Sequence, residues 1–281
     1  MTLPARVMTI AGSAAGGSAG IQADLKTFQE LDVYGMSVLT AIVSRHPKTD
    51  KNVHLQTIEA IEAQFATAIK QVGVDGIKIG MLFSEEIIKT VAGLLEDTSY
   101  KYLVVDPVMV GKMNSKLLED EAIRTLMEQL VPMATIITPN VPEASLLLNG
   151  RDIDSVQDLK QAAIDLYALG CQNVLVKGGR LDGPAVDILF DGEELTVLEA
   201  PRIDTVNTSG AGCTYSAAIT AFLTKGYSVV EAVKQAKGFV TTAIKHGFSY
   251  TDIVGPTYHA AERKYGKAQD IKIYHMNKGD V

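Results

Sequence analysis

The run Asn207-Thr-Ser-Gly-Ala-Gly-Cys-Thr-Tyr-Ser216 is where residue type and spacing in this chain most directly suggest chemistry. Gly210 and Gly212 let the backbone turn tightly and present its N–H groups. The apolar helical pattern over 211–223 aims the positive end of its dipole at the same point. Such a turn accepts a phosphate or a developing negative charge. Cys213 stands in the first helical turn, where a lowered thiol pKa is expected, fitting it as a base or a reversible nucleophile. The plain alternatives are a buried structural cysteine and a Gly-Ala-Gly stretch that only eases helix packing.

Other chemistry-bearing residues fall at the ends of apolar runs. Gly12-Ser-Ala-Ala-Gly-Gly-Ser-Ala-Gly20 follows the first run. It lacks the closing Gly-Lys-Ser/Thr of a phosphate-binding P-loop, and Ala15 stands where the dinucleotide pattern needs glycine. Its glycines suit close backbone approach to a flat substrate, or a simple strand-to-helix turn. Asp24, early in the next helix, either accepts hydrogen bonds from a ring substituent or compensates the helix dipole; spacing alone favours the second. Asp106 and Glu143 suit Mg²⁺, which takes one or two carboxylates with water and phosphate oxygens. Asn140 adds a polar contact for nucleotide phosphate, yet it is also an N-cap candidate, which makes Glu143 a first-turn carboxylate. Lys177, before Gly178 and Gly179, is placed as a point charge for phosphate. The five histidines show no ligand spacing and read mostly as surface residues; His46 and His54 lie in a polar stretch, 44–54, with the character of a flap.

These residues need a frame. Short apolar runs at 6–11, 36–43, 76–79, 102–106, 135–138 and 173–177 read as strands. Amphipathic segments at 21–31, 57–72, 84–96, 119–130 and 155–169 alternate with them. Continuous apolar strands followed by helices predict a mostly parallel sheet covered on both faces. Segments 185–190 and 194–199 around Asp191-Gly192 predict a hairpin. The last third reads as helical. In such a sheet ligands lie beyond the carboxyl ends of the strands, where the polar and glycine motifs repeatedly fall.

Composition sets the outer bounds. The 281 residues are 47% hydrophobic and 21% charged, an ordinary globular mixture. No linker, repeat or charge block divides the chain, so one domain over 1–281 is expected. The net charge is −7, and no basic run invites nucleic acid. An acidic protein that handles phosphate must concentrate positive potential locally. The two cysteines, Cys171 and Cys213, fit no zinc or disulfide spacing. With nine methionines and no signal peptide they point to the reducing cytoplasm. No apolar stretch reaches bilayer-spanning length.

Five ordered motifs complete the picture: Ala-Gly-Ser…Gly-Gly-Ser-Ala-Gly-Ile-Gln-Ala-Asp-Leu-Lys-Thr-Phe (11–28), Val-Asp-Pro-Val-Met (105–109), Thr-Pro-Asn-Val-Pro-Glu-Ala (138–144), Lys-Gly-Gly (177–179) and Gly-Ala-Gly-Cys-Thr (210–214). Together they resemble the hydroxymethylpyrimidine/phosphomethylpyrimidine kinase and pyridoxal kinase family of the ribokinase-like superfamily, over nearly the whole chain. The resemblance implies a three-layer α/β/α fold and transfer of the ATP γ-phosphoryl group, with Mg²⁺, to a hydroxymethyl on a pyridine or pyrimidine ring. It places Gly210, Ala211, Gly212 and Cys213 at the anion hole, with Cys213 beside the accepting hydroxyl. Asn140, Glu143 and Lys177, with Gly178 and Gly179, would serve ATP and magnesium; Asp187 would serve the nucleotide or the hairpin. Gly12, Asp24, Met81 and Val108 would line the substrate ring. Phe-Gln-Glu (28–30), Val43-Ser-Arg-His46 and Val254-Gly-Pro-Thr-Tyr-His259 look more like Gram-positive pyridoxal kinases, since the pyrimidine kinases usually carry Ala-Gln-Asn near 44–46. Three positions depart from the pattern: Ala14 for a common acidic residue, Gly111 for a cysteine that adds to the substrate aldehyde, and Ser209 for a frequent histidine. The resulting expectation is a homodimeric B6-vitamer kinase acting on a small molecule. A hydroxymethylpyrimidine kinase is the alternative, and a dinucleotide oxidoreductase and a non-catalytic vitamin-binding protein are rivals from other classes.

Overall fold

The computed structural model describes residues 3–44, 48, 52–111, 117–252, 254–267 and 270–278. Its frame is one sheet. β1 (Arg6–Ala14), β2 (Tyr34–Val43), β4 (Gly76–Ile79), β5 (Tyr102–Val105), β6 (Ile136–Ile137) and β7 (Val174–Lys177) run parallel, in the spatial order β7-β6-β5-β4-β1-β2. β3 (Val53–Leu55) adds antiparallel beyond β2. β8 (Ala185–Phe190), β9 (Glu194–Ala200) and β10 (Lys272–Asn277) extend the other edge antiparallel.

Alternation along the strands gives each face its own core. Met8, Ile10, Leu103, Val105, Val174 and Val176 point to one layer, filled by α2 (Ile58–Gln71), α3 (Glu85–Glu96), α4 (Asp120–Thr125), α5 (Val141–Leu147) and α6 (Val156–Tyr167). Val7, Val104, Ile136 and Leu175 point to the other, beneath α1 (Ile21–Glu30), α7 (Ala211–Thr224) and α8 (Val229–Lys245). The result is the expected ribokinase-like α/β sheet with helices on both faces. No helix among the described residues is long and apolar enough to cross a membrane.

Local chemistry explains the boundaries. Thr57, Ser84, Ser155 and Ser228 cap α2, α3, α6 and α8 by accepting from backbone N–H groups. The expected helix over 119–130 is α-helical only to Thr125; it widens into a π turn at Leu126–Leu130 and tightens into a 3₁₀ turn at Val131–Met133, which contains Pro132. β1 outlasts its expected end at Ala11, because a register shift between Ala11 and Gly12 lets residues 12–14 continue pairing with Ala41–Val43. The helical last third is also corrected. It contains α7, α8 and α9 (Ala261–Tyr265), but returns to the sheet as β10, whose mostly exposed residues carry little apolar signal. His54 belongs to β3. The rest of the expected flap falls largely outside the described residues, including Arg45 and His46.

Candidate active site

α7 opens differently from the capped helices. Its N-cap is Gly210, in the left-handed region at φ 84°, with no side-chain cap. Only glycine fits: a Cβ there would collide with the Ser18 carbonyl oxygen. The Gly12–Gly20 segment thus lies directly against the Gly210 turn, and Ser209 Oγ reaches Ser18 Oγ at 2.9 Å. Behind the turn, the Val254–His259 motif clasps it. The Ser209 N–H donates to the Gly255 carbonyl (3.1 Å), and the Thr257 N–H donates back to the Ser209 carbonyl (3.2 Å). Asn207 Oδ1 accepts the Gly255 N–H at 3.0 Å. The Ala211 N–H, expected in the anion hole, is engaged by the Thr208 carbonyl at 3.1 Å, because that bond closes the turn. The amides of Gly212 and Cys213 follow in the first turn, where an α-helix offers no internal acceptor.

Two lysines bring positive charge beneath this turn. Lys177 Nζ lies 3.4 Å from where a Gly212 Cβ would sit. It donates to Asp106 Oδ1 at 2.8 Å. Thr138 and Ser216 hydroxyls complete the carboxylate at 3.1 Å each. Burial works against charge on both partners, but their mutual attraction outweighs it: Asp106 is held below the usual carboxylate range and Lys177 above its own. Lys78, fully buried in β4, pairs with both Asp24 oxygens at 3.0 and 2.9 Å, and Thr9 Oγ1 donates to Asp24 at 2.6 Å. Burial pushes Asp24 upward, yet the two-pronged geometry is that of a carboxylate, and Lys78 is held above its ordinary range despite burial. Asp24 is the residue expected to line the substrate ring. It is wholly buried, with its oxygens turned to Lys78 and Thr9 beneath the site.

Asn140 is the N-cap that the sequence allowed. Its side chain accepts the Glu143 N–H at 3.0 Å, while Glu143 accepts the Asn140 N–H at 2.9 Å, a complete capping box. Glu143 also faces Lys177, but burial dominates and pushes its carboxyl up to about 7. Asp187 is tied into the hairpin and also lines the cleft described below. It accepts the Gly178 N–H at 3.1 Å and pairs with Lys237 Nζ at 2.5 Å. Around these residues a cleft of about 330 Å³ opens between Asn140, Lys177 and Gly179 on the strand side and Ala211, Tyr215 and Ile244 on the helix side. Gly12 lies near the end of β1, and Met81 and Val108 follow β4 and β5, so the sheet order sets them at the carboxyl ends of neighbouring strands. Phe83, at φ 71°, lays its ring against Gly12.

The Cys213 thiol departs from expectation. Burial raises its pKa, and Lys78 and a hydrogen bond from the Gly20 amide only partly offset that. The helix end alone does not make a resting thiolate. The sequence reading also missed Lys78 and His259. Lys78 carried a signal, a lysine inside the buried run Gly-Ile-Lys-Ile. His259 entered only as the last residue of the Val254–His259 motif, with no role of its own: it is buried, its Nε2 lies 3.0 Å from Thr214 Oγ1, and burial lowers its pKa to about 4.

A glycine turn with paired lysines at the carboxyl ends of a parallel sheet defines an anion-handling α/β protein of the ribokinase-like class. The chain belongs to the phosphomethylpyrimidine kinase family, whose model matches residues 15–258. It is 48% identical over 262 residues to pyridoxine kinase of Bacillus subtilis (92% of this chain, 97% of that one). It is 41% identical over 261 residues to the hydroxymethylpyrimidine/phosphomethylpyrimidine kinase of the same organism (92% and 96%). Among solved structures, Staphylococcus aureus pyridoxal kinase in complex with AMP-PCP superposes with a TM-score of 0.91 at 40% identity (98% of this chain, 100% of that one).

Proposed function

We propose that this protein transfers the γ-phosphoryl group of ATP to the 5-hydroxymethyl group of a B6 vitamer: pyridoxal, pyridoxine or pyridoxamine. The observation that carries it is the uncapped Gly210 turn, with Lys177 Nζ beneath Gly212 and the Cys213 sulfur beside it. ATP lies in the cleft between Asn140 and Ile244, its phosphates turned to the amides of Gly210, Gly212 and Cys213. Ala211 joins them if its bond to Thr208 yields. Lys177 offsets phosphate charge, and Gly178 and Gly179 let the strand end approach the nucleotide. Gly12, Met81 and Val108 bound the ring on the other side.

Phosphoryl transfer asks mainly for positioning and charge stabilisation. Once the Cys213 thiol has lost its own proton to solvent, the hydroxymethyl proton passes to the thiolate sulfur. The oxygen's electron pair closes on the γ-phosphorus, the bond to the β–γ bridging oxygen opens, and ADP leaves with that oxygen. The donor set fits Mg²⁺. Glu143 and Asp106 are carboxylates, the hard oxygen ligands this ion prefers, and burial leaves Glu143, at about 7, short of full ionisation, so a cation beside it would favour its charged form. No cluster of three or more acidic, histidine or cysteine ligands occurs among the described residues, so phosphate oxygens would complete the shell. Bound there, Mg²⁺ supplies neutralisation of phosphate charge.

The choice of ring rests on the greater identity to a pyridoxine kinase (48%) than to two pyrimidine kinases (41% and 44%). The second reading, a hydroxymethylpyrimidine kinase, is favoured by the description of the family model itself. We further propose a cytoplasmic homodimer. ADP release measured across pyridoxal, pyridoxine, pyridoxamine and hydroxymethylpyrimidine tests the reading. Turnover with a B6 vitamer supports it, turnover with the pyrimidine alone transfers it to the second reading, and turnover with none ends the kinase assignment. Analytical ultracentrifugation checks the dimer.

A further inference from the structure

The buried pair Lys78–Asp24 is satisfied within the fold beneath the site, and it lies where the reacting sulfur must be. The register of α7 on β4 fixes this. Gly76 packs against Thr220 and Thr224 of α7. Lys78 lies two residues further along the same face of the strand, about 6.6 Å toward its carboxyl end. α7 runs the opposite way, so that step matches one helical turn, about 6 Å, from Thr220 back to Ser216, with Cys213 one turn beyond. The side chain spans the rest: its Nζ lies 3.0 Å from where a Gly80 Cβ would be, two residues closer still to the site. Asp24 is tied in from the other side. Its N–H donates to the Gly20 carbonyl at 3.0 Å, and the Gly20 amide hydrogen-bonds the Cys213 sulfur.

We propose that Lys78 is a positioning residue for phosphoryl transfer: its ammonium, oriented by Asp24, is the counter-charge that lets the Cys213 sulfur carry negative charge. A fully buried ion pair contributes little net stability, because desolvation consumes most of the attraction. Its value here is electrostatic. Four charged groups face the sulfur: Lys78 from β4, Asp24 from α1, Asp106 beyond β5 and Lys177 at the end of β7. Lys177 is already matched by Asp106 and Glu143. Lys78 is matched mainly by Asp24, and Cys213 stands next among the groups that favour its charge. This inference rests on the reading that Cys213 accepts the hydroxymethyl proton.

Iodoacetamide alkylation of Cys213 across pH tests the hold on the sulfur without turnover. Cys171 is buried with its thiol pushed up to about 12, so it stays silent. Lys78→Met/Asp24→Asn removes both charges and avoids stranding one; it is expected to move the alkylation midpoint up by about one pH unit, roughly tenfold slower alkylation at a fixed pH below it. Asp24→Asn alone leaves the ammonium without its partner and is expected to move the midpoint down. A purely structural pair would not give opposite signs. Folded variants with the parent midpoint, or shifts in the same direction, overturn the proposal. Kinase turnover of the parent is read separately, so failure of the proton-acceptor reading remains distinct from failure of the Lys78 assignment.

Discussion

At the scale of single residues, burial decides what each ionisable group does. Cys213 has the helix end expected to acidify it, but desolvation wins and the resting sulfur is a thiol. A base of this kind gains activity as pH rises through its titration. Replacing it by alanine removes proton acceptance and leaves the turn amides. Cys213→Ala should therefore lower kcat by roughly 10²–10⁴, the range typical of acid–base groups, while calorimetric titration gives unchanged affinity for AMP-PCP. Normal turnover in that variant would remove the sulfur from the mechanism. His259 shows the same rule with the opposite charge. It is buried beside Thr214, with Lys26 adding to the cost of charging it and Glu30 opposing, and its pKa falls from 6.5 to about 4. The unfolded chain binds a proton near pH 6.5, whereas the folded one resists until about 4. The neutral imidazole's contribution is therefore intact above about pH 7 and lost as pH falls from 6.5 toward 4. The loss is on the order of 3 kcal/mol. Urea unfolding of the parent and of His259→Gln between pH 7.5 and 4.5 checks this: the parent should lose stability more steeply, and equal slopes would refute it.

At the scale of elements, the site depends on how α7 begins. Gly210→Ala would force a side chain into the left-handed region and into the Ser18 carbonyl, parting the two loops that meet there. A loss of roughly 1–3 kcal/mol is expected, together with a raised KM for ATP. Gly93→Ala is the control. Gly93 is exposed inside α3 with nothing within 4 Å of its Cβ position. Thermal melting should show stabilisation by roughly 1 kcal/mol. Most of these elements were legible in the sequence because their signals are local. Ser and Thr caps, the alternation of apolar strands with amphipathic helices, and Asn140 three residues before Glu143 all act within one turn. What stayed hidden depends on packing between distant segments. Asp24 looked like a helix-end carboxylate until the fold set it against Lys78, 54 residues away. His259 looked like a surface residue because Thr214 lies 45 residues earlier. The β10 edge was missed because strand pairing there depends on β9, and its exposed residues carry little apolar pattern.

At the scale of the whole molecule, one sheet carries both cores. Leu103 and Val105 belong to one layer and Val104 to the other, and Val174, Leu175 and Val176 alternate in the same way. A strand cannot leave one layer without leaving the other. The cleft beside Lys177 and the positions of Gly12, Met81 and Val108 are likewise built on neighbouring strands of that sheet, so the two halves of the proposed site have no separate foundations. With a net charge of −7, the proposed phosphate binding is a local achievement of Lys177 and the α7 end. We therefore propose that 1–281 forms one cooperative domain. Differential scanning calorimetry should give a single transition, with calorimetric and van't Hoff enthalpies equal if unfolding is reversible. Saturating AMP-PCP should move that transition upward as a whole, by about 2.7 kcal/mol at a hundred times its Kd. If the nucleotide shifted only part of the heat absorption, the cleft and the ring side would be separate folding units, and the shared-sheet argument would fail.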